Sequence, residues 1–151
     1  MTIFETERLR VRHFTQDDYD HFFSLQGDAE VMRYIRPPRT REESDSFLRD
    51  NLLVADPNDY KGYWAVEDRY SGAFVGSFVI IPIPNEPEKI QMGYSLLQAH
   101  WGKGYASELA LEGASYFRHR TPLDILYGVT ETPNIASQRV LSSYKRAAWR
   151  N

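Results

Sequence analysis

The stretch His100–Leu111, HWGKGYASELAL, constrains this chain more than any other. Gly102 and Gly104 flank Lys103, and the residues after them take up the spacing of an amphipathic helix. Glycine is poor inside a helix and unusually free outside one. Two of them at a helix start imply a tight turn, or something that must approach the backbone closely. The run before them, Lys89–Leu97, reads as a strand. A helix that begins at such a junction leaves its first amides without intrahelical acceptors, and its dipole adds partial positive charge there. That combination is an anion site, most often for phosphate, with successive N–H groups forming a nest. Lys103 either adds charge or points to solvent. A plain turn accounts for the glycines as well, because short glycine motifs are weak signals. Two named phosphate motifs are excluded: no GxGxxG is present, and GKGYAS lacks the ending and spacing of a P-loop.

The rest of the chain determines what surrounds this junction. Arg8–Phe14 alternates with Leu9, Val11 and His13 on one face, a strand pattern. Thr15-Gln-Asp-Asp18 reads as a capping box opening a helix with Tyr19, Phe22, Phe23 and Gln26. Asp28 caps a second short helix through Tyr34, closed by Pro37-Pro38. Thr40-Arg-Glu-Glu43 starts another that buries Phe47, Leu48, Leu52 and Leu53 and ends before Asp56-Pro57. Tyr63–Glu67, Ala73–Ile81 and Lys89–Leu97 are strand-like, joined at Ser71-Gly72 and across Pro82–Pro87. A long helix from about Tyr105 to Arg118 keeps Ala106, Leu109, Ala110, Gly113 and Phe117 on one face. Leu123–Thr130 is a strand, and Asn134 opens a last helix to about Tyr144. With no repeats or linkers, helices followed by an antiparallel meander and strand–helix–strand–helix predict a mixed α/β single domain, residues 1–151.

Composition narrows the function classes. A chain of 151 residues with 42% hydrophobic and 14% aromatic content buries a proper core. Its net charge of −3 gives no electrostatic reason to expect nucleic acid. No apolar run approaches a membrane span, and the first residues lack a signal peptide's apolar stretch. Without cysteine there is no thiolate nucleophile and no cysteine metal site, and the four histidines show no metal spacing. A cytoplasmic enzyme or binding domain, free of metal and membrane, fits this composition.

Trp101-Gly-Lys-Gly-Tyr-Ala106 resembles the acyl-CoA signature [RQ]-x-x-G-x-[GA] of the GNAT N-acetyltransferases, with Trp in the first position. The WGKGYA form is similar to the RimJ/RimL-like branch, which acetylates ribosomal-protein N-termini. Other stretches resemble that branch in the expected order over about residues 1–141: Thr6-Glu-Arg-Leu-Arg10, Asp28-Ala-Glu-Val-Met-Arg-Tyr34, Gly72-Ala-Phe-Val-Gly76, Met92-Gly-Tyr94 and Asn134-Ile-Ala-Ser137. The resemblance implies a GNAT-like acyl-CoA N-acyltransferase fold, with a central, mostly antiparallel sheet flanked by helices. It implies transfer of an acetyl group from acetyl-CoA to a primary amine by direct attack in a ternary complex. The amine is a protein N-terminus or a small molecule. In such proteins the signature amides hold the CoA diphosphate, which here assigns Trp101, Gly102, Lys103, Gly104, Tyr105, Ala106 and Ser107 to cofactor binding. The central strand is splayed from its neighbour by a bulge, and pantetheine pairs with its free edge like an added strand. That edge is Ser95, Leu96 and Leu97, with an amide near Leu96 polarising the thioester carbonyl.

The base is a Glu in many members, on the strand before the signature. The matching residue here is Gln91, which takes no proton. A Tyr often serves as the acid, and its position is Leu141. The resemblance leaves Ser137 as proton donor or hydrogen-bond partner of the departing thiolate, and Asn134 as helix cap and pantetheine contact. Local capping is the ordinary alternative for Ser137. Glu131 is a further candidate to deprotonate the amine through water, or a plain surface carboxylate. Glu108 serves the helix dipole, and Tyr34, Tyr63, Trp64 and Tyr94 are core or cleft wall.

Members usually carry Gly-Phe and a closing β-hairpin after the last helix. Here Ser142–Asn151 follows Leu141, so that hairpin reads as missing or altered. A strand around Ile125–Val129 would then be an edge, and edges invite association. A homodimer, or a partner that completes the sheet, is the expectation. The absent Glu and Tyr also keep a second reading open, a CoA-binding regulatory module without turnover.

Overall fold

A computed structural model describes residues 2–83, 85–120, 126–128 and 149–150. The strands form one sheet in chain order: β1 Thr2–Glu5, β2 Leu9–Arg12, β3 Gly62–Asp68, β4 Phe74–Ile83, β5 Glu86–Leu96, β6 Leu126–Gly128 and β7 Trp149–Arg150. β1 to β5 pair antiparallel, whereas β5–β6 and β6–β7 pair in parallel. Three helices accompany them: α1 Tyr19–Gln26, α2 Arg41–Phe47 and α3 Tyr105–Arg120.

The expected capping box at Thr15 forms, and the helix start expected at Thr40 carries a second one. At Thr15 the hydroxyl accepts the Asp17 amide at 3.2 Å, and the Asp18 carboxylate accepts the Thr15 amide at 2.8 Å. Thr40 and Glu43 exchange the equivalent pair of bonds at 3.2 and 2.8 Å. After α2 the chain widens to a π-type segment, Leu48–Leu52, in which the Leu53 amide bonds to the Leu48 carbonyl at 2.9 Å.

The sheet carries a core on each face. On one, Leu9, Val11, Trp64, Phe78, Ile80 and Met92 pack against Leu109, Ala110, Ala114 and Phe117 of α3. On the other, Ala65 and Phe74 meet Phe22 and Leu25 of α1, with Leu48 beside them. α3 is therefore held by its apolar stripe, and its N-terminus is delivered to the end of β5. No helix among the described residues is long and apolar enough to cross a membrane.

Several expectations need correction. β1 was not anticipated, because four residues give too short an alternation to recognise; Ile3 and Phe4 nonetheless pack on the first core. The helix expected over Asp28–Tyr34 is a run of turns. Its isolated bonds, Met32 to Asp28 and Arg36 to Met32, do not consolidate into a ladder. The break expected at Pro82–Pro87 is a tight hairpin: strand runs to Ile83, resumes at Glu86, and turns at Asn85, whose φ is 67°. β6 is not an edge at Leu126 and Tyr127, because β7 pairs with it there. The edge-based reason for dimerisation therefore lapses at those residues. The expected last helix from Asn134 lies outside the described residues, as do Leu141 and any closing hairpin.

Candidate active site

The junction between β5 and α3 is built from backbone geometry that only glycine takes easily. Gly102 has φ 75° and Gly104 φ 82°, the left-handed region where a Cβ is disfavoured. The first bond of α3 runs from the Glu108 amide to the Gly104 carbonyl at 3.1 Å. The amides of Tyr105 and Ala106 precede it and have no acceptor inside the helix.

Glu108 does more than serve the dipole. Its carboxylate accepts from the Thr6 hydroxyl at 2.5 Å, the Arg8 amide at 3.1 Å and Arg8 Nε at 2.6 Å. Burial alone would raise the Glu108 pKa, but these bonds outweigh it and hold it below its ordinary value. The helix start is thereby fastened to the turn between β1 and β2. Arg8 lies over the Tyr105 ring, 4.4 Å from its centroid, and brings a cation beside Gly104. Lys103, which the sequence leaves either adding charge or pointing to solvent, is exposed and does not line the cavity described below.

β5 reaches this junction alongside β4, in unbroken register from Pro82↔Ile90 to Gly76↔Leu96. The Leu97 amide donates to the Val75 carbonyl at 2.9 Å, which makes Gly76↔Leu96 a non-hydrogen-bonded pair. The backbone groups of Leu96 therefore face away from β4, toward the side where β6 pairs only with Gln91 and Met92 among the described residues. This refines the expectation for Ser95–Leu97. Ser95 turns its carbonyl toward Gly76, and Leu97 gives its amide to β4. Only Leu96 presents its N–H to the open side. No bulge interrupts the β4–β5 ladder between Ile90 and Leu96; the register shifts lie at Val66/Glu67 and Pro82/Ile83.

Gly76 explains how the two strands come so close here. A Cβ on it would lie 2.1 Å from the Ser95 carbonyl oxygen. Beyond Leu97 a short 3₁₀ turn, Gln98–His100, leads to Trp101, whose indole N–H returns to the Leu96 carbonyl at 2.8 Å.

A cavity of about 440 Å³ joins these parts. Ser95, Leu96, Trp101, Gly102, Gly104, Tyr105, Ala106 and Ser107 line it, with Tyr94 and His100. The opposite wall is Glu30, Val31, Arg33, Tyr34 and Ile35. Leu97 does not line it and packs on the second core. Of the aromatics read as core or cleft wall, Tyr34 and Tyr94 line the cavity, and Trp64 is buried in the core.

The sequence reading missed the tie between the walls. Gln98 Nε2 donates to both Asp28 oxygens at 3.0 Å, while Asp28 Oδ1 accepts the Glu30 and Val31 amides at 2.9 and 3.2 Å. Desolvation would raise the Asp28 pKa, but these bonds bring it below its usual value. The Asp cap was legible in sequence; its long-range partner was not. His100, expected as an ordinary surface or half-buried residue, is half-buried, and its Nδ1 is buried without a hydrogen-bond partner.

Gln91 is half-buried on β5, opposite Ile81 of β4 and Tyr127 of β6. Glu131, Asn134 and Ser137 lie outside the described residues. No group of three His, Asp or Glu side chains among the described residues is arranged to hold a metal.

A meander followed by a parallel strand, with a glycine-led helix start opening on a cavity beside a free strand edge, defines the acyl-CoA N-acyltransferase fold. The family model described as "Acetyltransferase (GNAT) domain" matches residues 8–145. Over 140 residues the chain is 26% identical to the uncharacterized N-acetyltransferase YoaA of Bacillus subtilis (strain 168), covering 92% of this chain and 79% of that protein. The fold is similar to that of a GNAT-family acetyltransferase from Bacillus anthracis, with TM-score 0.78, 25% identity, and coverage of 94% of this chain and 81% of that one. It is also similar to RimL, the ribosomal L7/L12 α-N-protein acetyltransferase, solved in complex with coenzyme A. There the TM-score is 0.75 at 17% identity, over 95% of this chain and 82% of that one. The chain belongs to the GNAT family and is an acetyl-CoA-dependent N-acetyltransferase.

Proposed function

We propose that this enzyme acetylates a primary amine, a protein N-terminal α-amine or a small-molecule amine, by direct attack in a ternary complex, as a RimJ/RimL-like member of its family. The single observation that carries this reading is one cavity joining the outward N–H of Leu96 to the left-handed glycines and leading amides of α3. WGKGYA and the likeness to RimL support the branch.

The residues fit coenzyme A in two places. The backbone from Gly102 to Ser107 would hold the diphosphate, with no Cβ at Gly102 or Gly104 to keep it from the amides. The open side of β5 at Leu96 would take pantetheine in strand fashion. Acetyl-CoA supplies a thioester, whose carbonyl oxygen gains negative charge as an amine adds to it. The Leu96 amide, fixed by the β4–β5 ladder, is the donor for that charge.

Asn134 would contact pantetheine. Ser137 gives a proton to the departing thiolate, and Glu131 takes the amine's proton through water. Gln91 moves no proton, so the amine arrives neutral or loses its proton through water toward Glu131.

Thiol release from acetyl-CoA, with and without a panel of peptides and small amines, tests the reading. Amine-dependent release is expected. At subsaturating amine, its rate should rise with pH up to the amine's own pKa, roughly 8 for an α-amine and above 10 for a lysine. Coenzyme binding without amine-dependent release would overturn the transfer. A plateau near pH 6.5 would reveal a titrating base in the enzyme and overturn the amine's own pKa as the control of the rate.

A further inference from the structure

We infer that Trp101 is a positioning residue, whose indole N–H holds the pantetheine edge and the diphosphate nest at a set separation. The inference rests on the reading of the cavity given above. Leu96, like every second residue of β5, turns its backbone groups away from β4, so its carbonyl as well as its N–H faces the open side. Trp101 Nε1 donates to that carbonyl at 2.8 Å. The bond closes the Leu96–Trp101 segment on itself, around the 3₁₀ turn whose backbone bonds are His100 to Leu97 at 2.9 Å and Trp101 to Gln98 at 3.1 Å.

One end of this closed segment is the strand edge, and the other adjoins the nest. Gly102 follows Trp101 directly with φ 75°, and no heavy atom lies within 4 Å of where its Cβ would be. Trp101 is itself 48% exposed, so burial is not what anchors it. The indole bond is a side-chain tie across the junction.

Its geometry has a chemical consequence. The bond engages one lone pair of the Leu96 carbonyl and fixes the orientation of the Leu96 peptide edge toward the cavity. A ligand spanning both halves, as coenzyme A does, gains from the fixed spacing. A ligand that fills only the nest does not.

The test compares coenzyme A with adenosine 3′-phosphate 5′-diphosphate, the same molecule without pantetheine, by calorimetry on the full chain. Trp101→Phe keeps a flat ring and removes the N–H. It should weaken coenzyme A about five- to tenfold, the worth of one hydrogen bond, while the fragment's affinity stays within about twofold. Trp101→Gln, which carries an N–H of its own, should recover part of the loss. Equal weakening of both ligands in both variants would make Trp101 a mere support for the nest and overturn the inference. So would no change in either. Gly104→Ala, run in parallel, should weaken both ligands. If it weakens neither, or if wild type binds neither, the reading of the cavity itself fails.

Discussion

At the scale of a residue, Gly104 carries the most information. Its φ of 82° is strained for any L side chain, yet an added Cβ would find only Arg8 Nη2, at 3.4 Å, an ordinary contact. Gly104→Ala should therefore cost about 1–2 kcal/mol of stability from backbone strain alone, and the domain should still fold. Coenzyme A affinity should fall by tenfold or more, because in the proposed binding mode the methyl group would stand where the diphosphate approaches the amides. Thermal melts and calorimetry on the same sample separate the two effects. Loss of stability with unchanged affinity would make the glycine a turn residue only. Glu108 teaches a different lesson at this scale. An acid in the first turn of a helix reads as dipole compensation, and here the same carboxylate also fastens Thr6 and Arg8 across the molecule.

At the scale of elements, the site is a product of how β4, β5 and α3 meet. β4 approaches β5 so closely at Gly76 that a Cβ would collide with the Ser95 carbonyl and the Leu96 Cα, at 2.1 and 2.9 Å. Neither is the far end of a flexible side chain. Gly76→Ala should thus push the end of β5 outward and destabilise the fold by about 1–3 kcal/mol. The KM for acetyl-CoA should rise more than kcat falls, since the pantetheine edge moves as a unit. Steady-state kinetics beside urea denaturation would check this, and unchanged KM in a destabilised variant would disconnect Gly76 from the site. The segment after Asp28 shows the limit of local rules. Its cap forms as the sequence implies, but Asp28 also receives Gln98, and the chain settles into turns along the cavity wall.

At the scale of the whole molecule, a charged network joins the sheet to the second core. Arg12 donates to both Asp18 oxygens at 2.8 and 2.9 Å and also bonds Glu67, while His21 bonds Asp18 and stacks on Phe74. Burial opposes ionisation of Asp18, but the Arg12, His21 and Thr15 bonds prevail and set its pKa at about 2. The folded-state pKa lies below the unfolded one. The carboxylate therefore contributes its full stability above about pH 4 and loses it as pH falls toward 2. Urea midpoints measured from pH 7 to 2 should show that decline. Asp18→Asn should be less stable at pH 7 by about 1–3 kcal/mol and should flatten the decline. An equally steep decline in the variant would assign the acid sensitivity to other groups, Glu108 among them.

The sequence by itself determined the elements whose signals are local: the capping box at Thr15, the helix start at Thr40, the β3–β5 meander, the apolar stripe of α3 and the glycine junction before it. These follow from periodicity and capping, which depend on neighbours a few residues away. Its motif order also led to the family, because WGKGYA belongs to one backbone conformation. Only the tertiary structure decided which backbone groups of β5 face the cavity, since that depends on register with β4. It alone placed Arg8 rather than Lys103 beside the nest, tied Gln98 to Asp28, and laid Trp149–Arg150 along β6. Each of these contacts joins residues far apart in the chain, and no local pattern encodes the partner a side chain meets once two elements have packed.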